Sequence, residues 1–340
     1  MGQALVLSGL TVLVAMVYDL PVRDPDGAEV KTYVRLPLIL LLAFLVDVVP
    51  RALARRPRLA DAPRALLDVV RERWPAAHVR FALVGLGAWY LTYVAFRNLK
   101  SYVPFVNDRL FDETLARVDR LMWLGRDPAQ VLHDLLGTTW SAHVLSFVYV
   151  AWIALLPASL AIALVWSRHA RSSEWYVTAV AVDWVLGVAI YFAVPSLGPV
   201  YADPGDFADL TPTWVTSLQT AMIDDRVAVL ADPFATGAVQ TIAAFASLHV
   251  AVTVTACLCA ELMDLPRWVR TALWVFLALT VVSTVYLGWH YFVDAIGGAA
   301  VGTAGVLVGA WVTGNHVRGV PQRISRSERQ SSSAARIRAA

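Results

Sequence analysis

Lysine is nearly missing from this 340-residue sequence: Lys31 and Lys100 are the only two, and every other basic side chain except histidine is arginine. Cysteine is equally scarce. Cys257 and Cys259 stand two apart in an apolar run and point to different sides of a helix. A disulfide, a CxxC redox pair and a zinc knuckle are therefore poor fits, and two buried small hydrophobes are expected. Charge is sparse at 16% of residues, and a net charge of +2 with no basic stripe among aromatics argues against a nucleic-acid partner. No internal repeat and no soluble domain stands out. What is abundant is apolar: 58% of the residues are hydrophobic and the mean hydropathy is strongly positive. A water-soluble chain of this length needs more polar surface to cover its core, so a multi-pass protein of the cell membrane is expected.

A bilayer core takes about 20 apolar residues in helical form. Eight segments come close: 2–19, 34–50, 78–96, 142–166, 176–195, 244–263, 268–288 and 290–313. The fold class expected is all-α, a polytopic membrane helical bundle. The first segment has no cationic start and no clear cleavage site, so an anchor helix is preferred to a removed signal peptide. Arginine placement sets the direction. Seven arginines fall within 51–77, Arg168 and Arg171 within 167–175, Arg267 and Arg270 near 264–270, and six more after Asn315. With eight spans these regions all fall on one side, taken as the cytoplasm, together with both termini. The loops 98–141 and 196–243 then face outward. The 51–77 stretch reads as a positive-inside loop or an amphipathic helix on an anionic leaflet. The end from Ile324 to Ala340 reads as a disordered basic tail.

Two stretches stand out once the spans are placed. One is Phe245-Ala246-Ser247-Leu248-His249, at the outer end of the sixth span. The other runs from Ser283 through Tyr286 and His290 to Asp294, between the last two spans. His290 and Asp294 are four apart, so on a helix they share a face. Ionisable groups near apolar spans are costly and are functional by default. A carboxylate one turn from a histidine can fix its tautomer and leave the other ring nitrogen free as a nucleophile. A second histidine, His249, could serve as general acid. Hydrogen bonds between helices are the plainer alternative. A zinc set is another, but no third histidine lies nearby, and neither a metal nor an organic cofactor is expected.

The pattern Ser247-x-His249 followed by Tyr286-Leu287-x-x-His290-x-x-x-Asp294 before a Gly-rich helix resembles the type 2 phosphatidic acid phosphatase (PAP2) superfamily. His290-Tyr291-Phe292-Val293-Asp294 looks most like its inositol phosphorylceramide synthase branch. Phe192-Ala193-Val194-Pro195-Ser196-Leu197-Gly198-Pro199 resembles that branch's outer-loop proline motif. The similarity spans roughly residues 80–313. It implies a six-helix core within 78–314, preceded by two transmembrane helices and a basic loop in 1–77 and followed by the basic tail 315–340. It also implies attack on phosphorus by His290, orientation by Asp294 and protonation of the leaving group by His249, while arginine placement puts these residues on the extracytoplasmic side.

Departures from the pattern shift the substrate. The superfamily's phosphatases carry a Lys-x(6)-Arg-Pro motif and an arginine after the serine of their third motif. Here neither occurs, and position 284 is threonine. Phosphoryl transfer still needs cations on the non-bridging oxygens, and Arg97 and Lys100 are the best substitutes, with Arg226 weaker. Ser247 and Tyr286 complete the expected substrate contacts. The substrate expected is a phospholipid or lipid phosphate, with an acceptor alcohol or water completing the reaction; oligomeric state is left open. Simple lipid phosphate hydrolysis, a non-catalytic lipid transporter and a haloperoxidase-like oxidase are the rivals. Asp47 and Asp183, inside spans, read as interhelical contacts in preference to relay groups. The stretch 118–128, with Asp119, Trp123 and Asp127, reads as an interfacial helix and turn. The remaining histidines have no catalytic part.

Overall fold

The apolar segments are long enough to satisfy their backbone groups only as helices, and helices are what they form. A computed structural model describes residues 1–25, 32–167 and 169–324; residues 325–340, which hold most of the expected tail, lie outside the described residues. In chain order the helices are α1 (Gly2–Val17), α2 (Thr32–Ala54), α3 (Ala62–Arg73), α4 (Ala76–Val106), α5 (Asp112–Met122), α6 (Pro128–Leu136), α7 (Trp140–Ala161, continued by a π-helical turn to Trp166), α8 (Ala170–Ala193), α9 (Pro199–Ala202), α10 (Trp214–Ala231), α11 (Leu248–Leu262), α12 (Arg267–Tyr286) and α13 (Phe292–Val312). The chain is an all-α, polytopic bundle. Among the described residues, six helical segments are long and apolar enough to cross a membrane, and α1 and α11 are shorter apolar helices.

The expected eighth span starts two residues late, at Phe292, and the sixth four residues late, at Leu248. At about 1.5 Å per residue the 15 residues of α11 cover roughly 22 Å, less than a hydrocarbon core of about 30 Å. They need not span it unaided, because α11 is walled in by protein: ten of the 15 are buried, against α8, α12 and α13. Small residues permit this approach. A side chain at Gly298 would collide with the Ser247 carbonyl, and one at Gly302 with that of Ala251. The glycines of α13 thus set how close its N-terminal end lies to the N-terminal end of α11, which carries His249.

Charge segregates along the bundle. Asp47 of α2 is 1% exposed and holds Arg73 through two bonds of 2.8 Å, Arg51 at 2.6 Å and the Trp74 indole N–H at 3.1 Å. Arg73 also donates to the Trp166 carbonyl at the far end of α7. Arg171 bonds Asn315 at 2.7 Å, beyond the end of α13, and Arg270 bonds Glu261 at 2.8 Å at the end of α11. The described arginine-rich turns therefore share one end of the bundle, and α4 runs from that end to present Arg97 and Lys100 at the other. Asp47 is an interhelical contact, the preferred of the two sequence readings. Asp47→Ala strands the mostly buried Arg73 and is expected to cost about 3–5 kcal/mol; an unchanged melting temperature in detergent would refute that. Asp183 of α8 likewise accepts from Thr255 of α11 at 2.7 Å. After α13, residues 316–321 form a two-residue antiparallel hairpin (His316–Val317 with Val320–Pro321), and the Ile324 N–H bonds back to Leu262 at 2.8 Å.

Candidate active site

At the end opposite the arginines, the N-termini of α11 and α13 meet. Ser247 caps α11, its hydroxyl accepting from the Val250 N–H and its own N–H donating to the Asp294 carbonyl at 3.1 Å. This cap fixes His249 in the first turn. His290 lies just outside α13, for which Tyr291 is the N-cap. Its contact with Asp294 is therefore not the helical four-residue spacing expected from sequence. Asp294 sits in the first turn and reaches back, its Oδ2 accepting from the Tyr291 N–H at 3.0 Å and from His290 Nδ1 at 3.2 Å. A carboxylate there also suits the positive end of the helix dipole.

The three side chains make a line. His249 Nδ1 is 3.0 Å from His290 Nε2, and His290 Nδ1 faces Asp294. Acceptance by the carboxylate puts the proton on His290 Nδ1 and leaves a lone pair on Nε2, to which His249 Nδ1–H donates. Both nitrogens of His290 are thus committed to different partners, so the trio does not converge on one point as metal ligands must. Among the described residues no group of three or more His, Cys, Asp or Glu side chains could hold a metal ion. Burial, and then the charge of Lys100, hold the His290 imidazole below its ordinary range, which keeps it neutral at pH 7.

Both histidines open onto a cavity of about 610 Å³. Arg97 and Lys100, three apart on α4 and so on one face, line it as well. Lys100 lies over the Tyr191 ring at 4.9 Å and Arg97 near that of Tyr93 at 5.9 Å, while the buried Arg97 Nε has no hydrogen-bond partner among the described residues. A buried guanidinium N–H without an acceptor is a donor waiting for one. Beyond the polar groups the walls turn apolar and aromatic, with Trp89, Trp152, Leu156, Leu160 and Trp184. His249 packs against Trp152 with ring centroids 4.2 Å apart and against Tyr149 at 5.1 Å. Helix α10 roofs the cavity through Leu218, Met222 and Asp225, and is tied to the His290 loop by Gln219, which donates to the Leu287 carbonyl at 2.8 Å.

Four of the seven residues expected from sequence line this space, His249, His290, Arg97 and Lys100, with Asp294 directly behind. Ser247 and Tyr286 are elsewhere. Ser247 is fully buried in its capping role. Tyr286 is fully buried too and donates to the Gly137 carbonyl at 2.7 Å. Arg226 lines a separate small pocket near Asn107. Thr284 turns away, its hydroxyl donating to the Thr280 carbonyl at 2.9 Å. His133, set aside at the sequence level, is a buried structural group 2.8 Å from the Tyr286 carbonyl.

The outer-loop proline stretch docks on the His290 loop. Gly198 (φ 101°) lies against the Trp289 carbonyl where a Cβ would not fit, and the Val200 N–H donates to the Gly288 carbonyl at 2.9 Å. Asp112 and Asp119 of α5 reach the same region, and no sequence signal marked Asp112. Their acceptors serve groups far along the chain, which spacing cannot reveal.

A family model described as the PAP2 superfamily matches residues 113–308, more than half of the chain. No curated protein and no solved structure matches. The matched stretch starts on α5, later than the limit near residue 80 expected from sequence, so Arg97 and Lys100 lie outside it while His249, His290 and Asp294 lie inside.

Proposed function

This chain belongs to the PAP2 superfamily, and from that premise we propose that it is an integral-membrane enzyme that moves the phosphoryl group of a lipid phosphate or phospholipid through His290. The superfamily is one of phosphatases and phosphotransferases. The observation that carries the reading is the line His249–His290–Asp294 ending in a cavity that also holds Arg97 and Lys100.

The chemistry follows from the atoms. A phosphate entering the cavity displaces the His249 hydrogen bond from His290 Nε2. Arg97 and Lys100 take up charge on the non-bridging oxygens. The Nε2 lone pair attacks phosphorus, the P–O ester bond breaks, and the leaving oxygen takes a proton from His249. That step needs His249 as imidazolium, and the entering phosphate, as its monoanion, supplies the proton. Asp294 balances the positive charge on the phosphorylated ring through Nδ1–H. Water or an acceptor alcohol then gives its proton to His249 and attacks phosphorus; the P–N bond breaks and its electron pair returns to His290 Nε2.

Two observations favour transfer to an alcohol as well as hydrolysis. The phosphatase arginine is replaced by the inward-turned Thr284, and the proline stretch of the inositol phosphorylceramide synthase-like pattern packs directly on the His290 loop. A phosphoinositol-type headgroup is the transfer substrate this pattern favours. The apolar walls suit an acyl or prenyl chain. The arginine-rich end would face the cytoplasm, with both termini, and the histidines the outer side.

The test is a trap. Protein in detergent is incubated with ³²P-phosphatidic acid, with and without inositol or glycerol, and quenched in acid or alkali. Label that is acid-labile, alkali-stable and confined to the peptide bearing His290 supports the proposal. Turnover of the probe without such label would sink the covalent route. Orientation is checked with single cysteines at positions 110 and 330; equal reactivity toward an impermeant thiol reagent from one side would contradict it.

A further inference from the structure

We infer that Asp119 and Asp112 of α5 are positioning residues that fix His290 from outside the membrane bundle. The inference rests on the proposed reaction at His290 and adds the part of the molecule that sets its geometry.

Helix α5 buries one face, and that face carries Asp112, Leu115, Ala116 and Asp119. The two carboxylates are seven residues apart, two turns along the same side. Burying a carboxylate is unfavourable unless its oxygens are satisfied, and among the described residues no arginine or lysine forms a salt bridge with either. Their oxygens are committed to the chain around His290 instead. Asp119 accepts from the Phe292 N–H at 2.6 Å and the Val293 N–H at 2.8 Å, the first two residues of α13. Those N–H groups have no partner within their own helix. Asp112 accepts from the Leu197 N–H at 3.0 Å, the Gly198 N–H at 2.9 Å and the Tyr291 hydroxyl at 3.1 Å.

His290 is thereby held on both sides. Upstream, Gly288 and Trp289 dock on the 198–200 segment, whose start Asp112 holds. Downstream, Tyr291, Phe292 and Val293 bond to the two carboxylates. Asp294, the partner of His290 Nδ1, sits one residue past the last Asp119 contact. A shift of α5 therefore moves the nucleophile and its orienting carboxylate together relative to His249, which is anchored on α11. Misplacement of reacting groups by about 1 Å can cost on the order of a hundredfold in rate.

The experiment compares wild type, Asp119→Asn, Asp119→Ala and, as a control on the exposed side of α5, Leu121→Ala. Two quantities are read. One is the kcat and KM for ³²P-phosphatidic acid. The other is the Nδ1–H proton resonance of His290 in protein labelled with ¹⁵N-histidine, assigned by its loss in His290→Ala. Asp119→Asn keeps the shape and one acceptor, and is expected to lower kcat about ten- to a hundredfold with KM within about twofold of wild type. It should also shift or broaden the His290 resonance while the protein stays folded. Leu121→Ala should change neither. If Asp119→Ala does not fold, Asp119→Asn carries the test. A lower melting temperature with kcat and resonance unmoved would overturn the inference, as would a fall in kcat with the resonance unchanged. Should wild type fail to turn over the probe, the proposed reaction is in error, and the resonance alone still decides whether Asp119 positions His290.

Discussion

His290→Ala is expected to lower kcat by about 10⁴-fold or more and to remove the acid-labile label, because among the described residues lining the cavity His290 is the histidine whose free ring nitrogen is oriented by a carboxylate. His249→Ala should behave differently. It removes the proton donor, a contribution of about 10²–10⁴, but only where the departing oxygen needs a proton. With p-nitrophenyl phosphate, whose leaving group departs as a stable phenolate, the His249→Ala defect should shrink to near tenfold or less, while the His290→Ala defect should stay at full size. The measurement is kcat for both variants on the lipid and the aryl ester. Equal defects on both esters for His249→Ala would remove it from the role of acid. Retention of label in His290→Ala would place the nucleophile elsewhere.

The second large effect concerns charge. Arg97→Ala is expected to cost at least about tenfold in kcat, and up to the 10²–10³ typical of one lost transition-state donor. The effect is large because the buried Nε has no other partner among the described residues. Arg97→Lys should recover only part of the loss, since a point charge does not reproduce a planar fork of donors. A near-normal rate in Arg97→Ala would move the phosphate clamp to other groups. Lys100 already engages the Tyr191 face, so Lys100→Ala should cost less than Arg97→Ala, measured on the same substrate.

Much of this was legible in the sequence because the membrane imposes a simple grammar. Runs of about 20 apolar residues become helices since lipid offers the backbone no hydrogen bonds, and arginines between them mark one end. His249 and His290 could be paired before any coordinates, being ionisable groups at matching ends of apolar spans. Arg97 and Lys100 could be picked as cations at the outer end of the third span. Asp294 was found for a reason that proved incomplete: its tie to His290 is made by a helix cap, not along a helix face. Ser247 and Tyr286 were expected at the substrate because they accompany the histidines in sequence, yet one is a cap and the other a buried strut. Asp112 went unnoticed and Asp119 was read only as part of an interfacial helix and turn. Both act on backbone N–H groups more than 80 residues away, and main-chain donors leave no mark in sequence.

Helix α1 has a consequence for how the molecule can be divided. It packs along α4, with Leu7 and Ala15, and Leu20 just after its end, in the same core as Phe96 and Leu99. Just beyond it Arg23 and Asn98 exchange two bonds of 2.8 Å, while Tyr102 donates to the Pro21 carbonyl at 3.0 Å. Those contacts grip α4 on the turns that carry Arg97 and Lys100. The proposed nucleophile and the charges proposed to serve it thus lie on two parts of the chain: one within 113–308, the other α4 and the N-terminal helix that braces it. A chimaera that transplanted 113–308 alone would carry over the histidines and leave the phosphate clamp behind. Whoever grafts this site onto another scaffold must take the first hundred residues along.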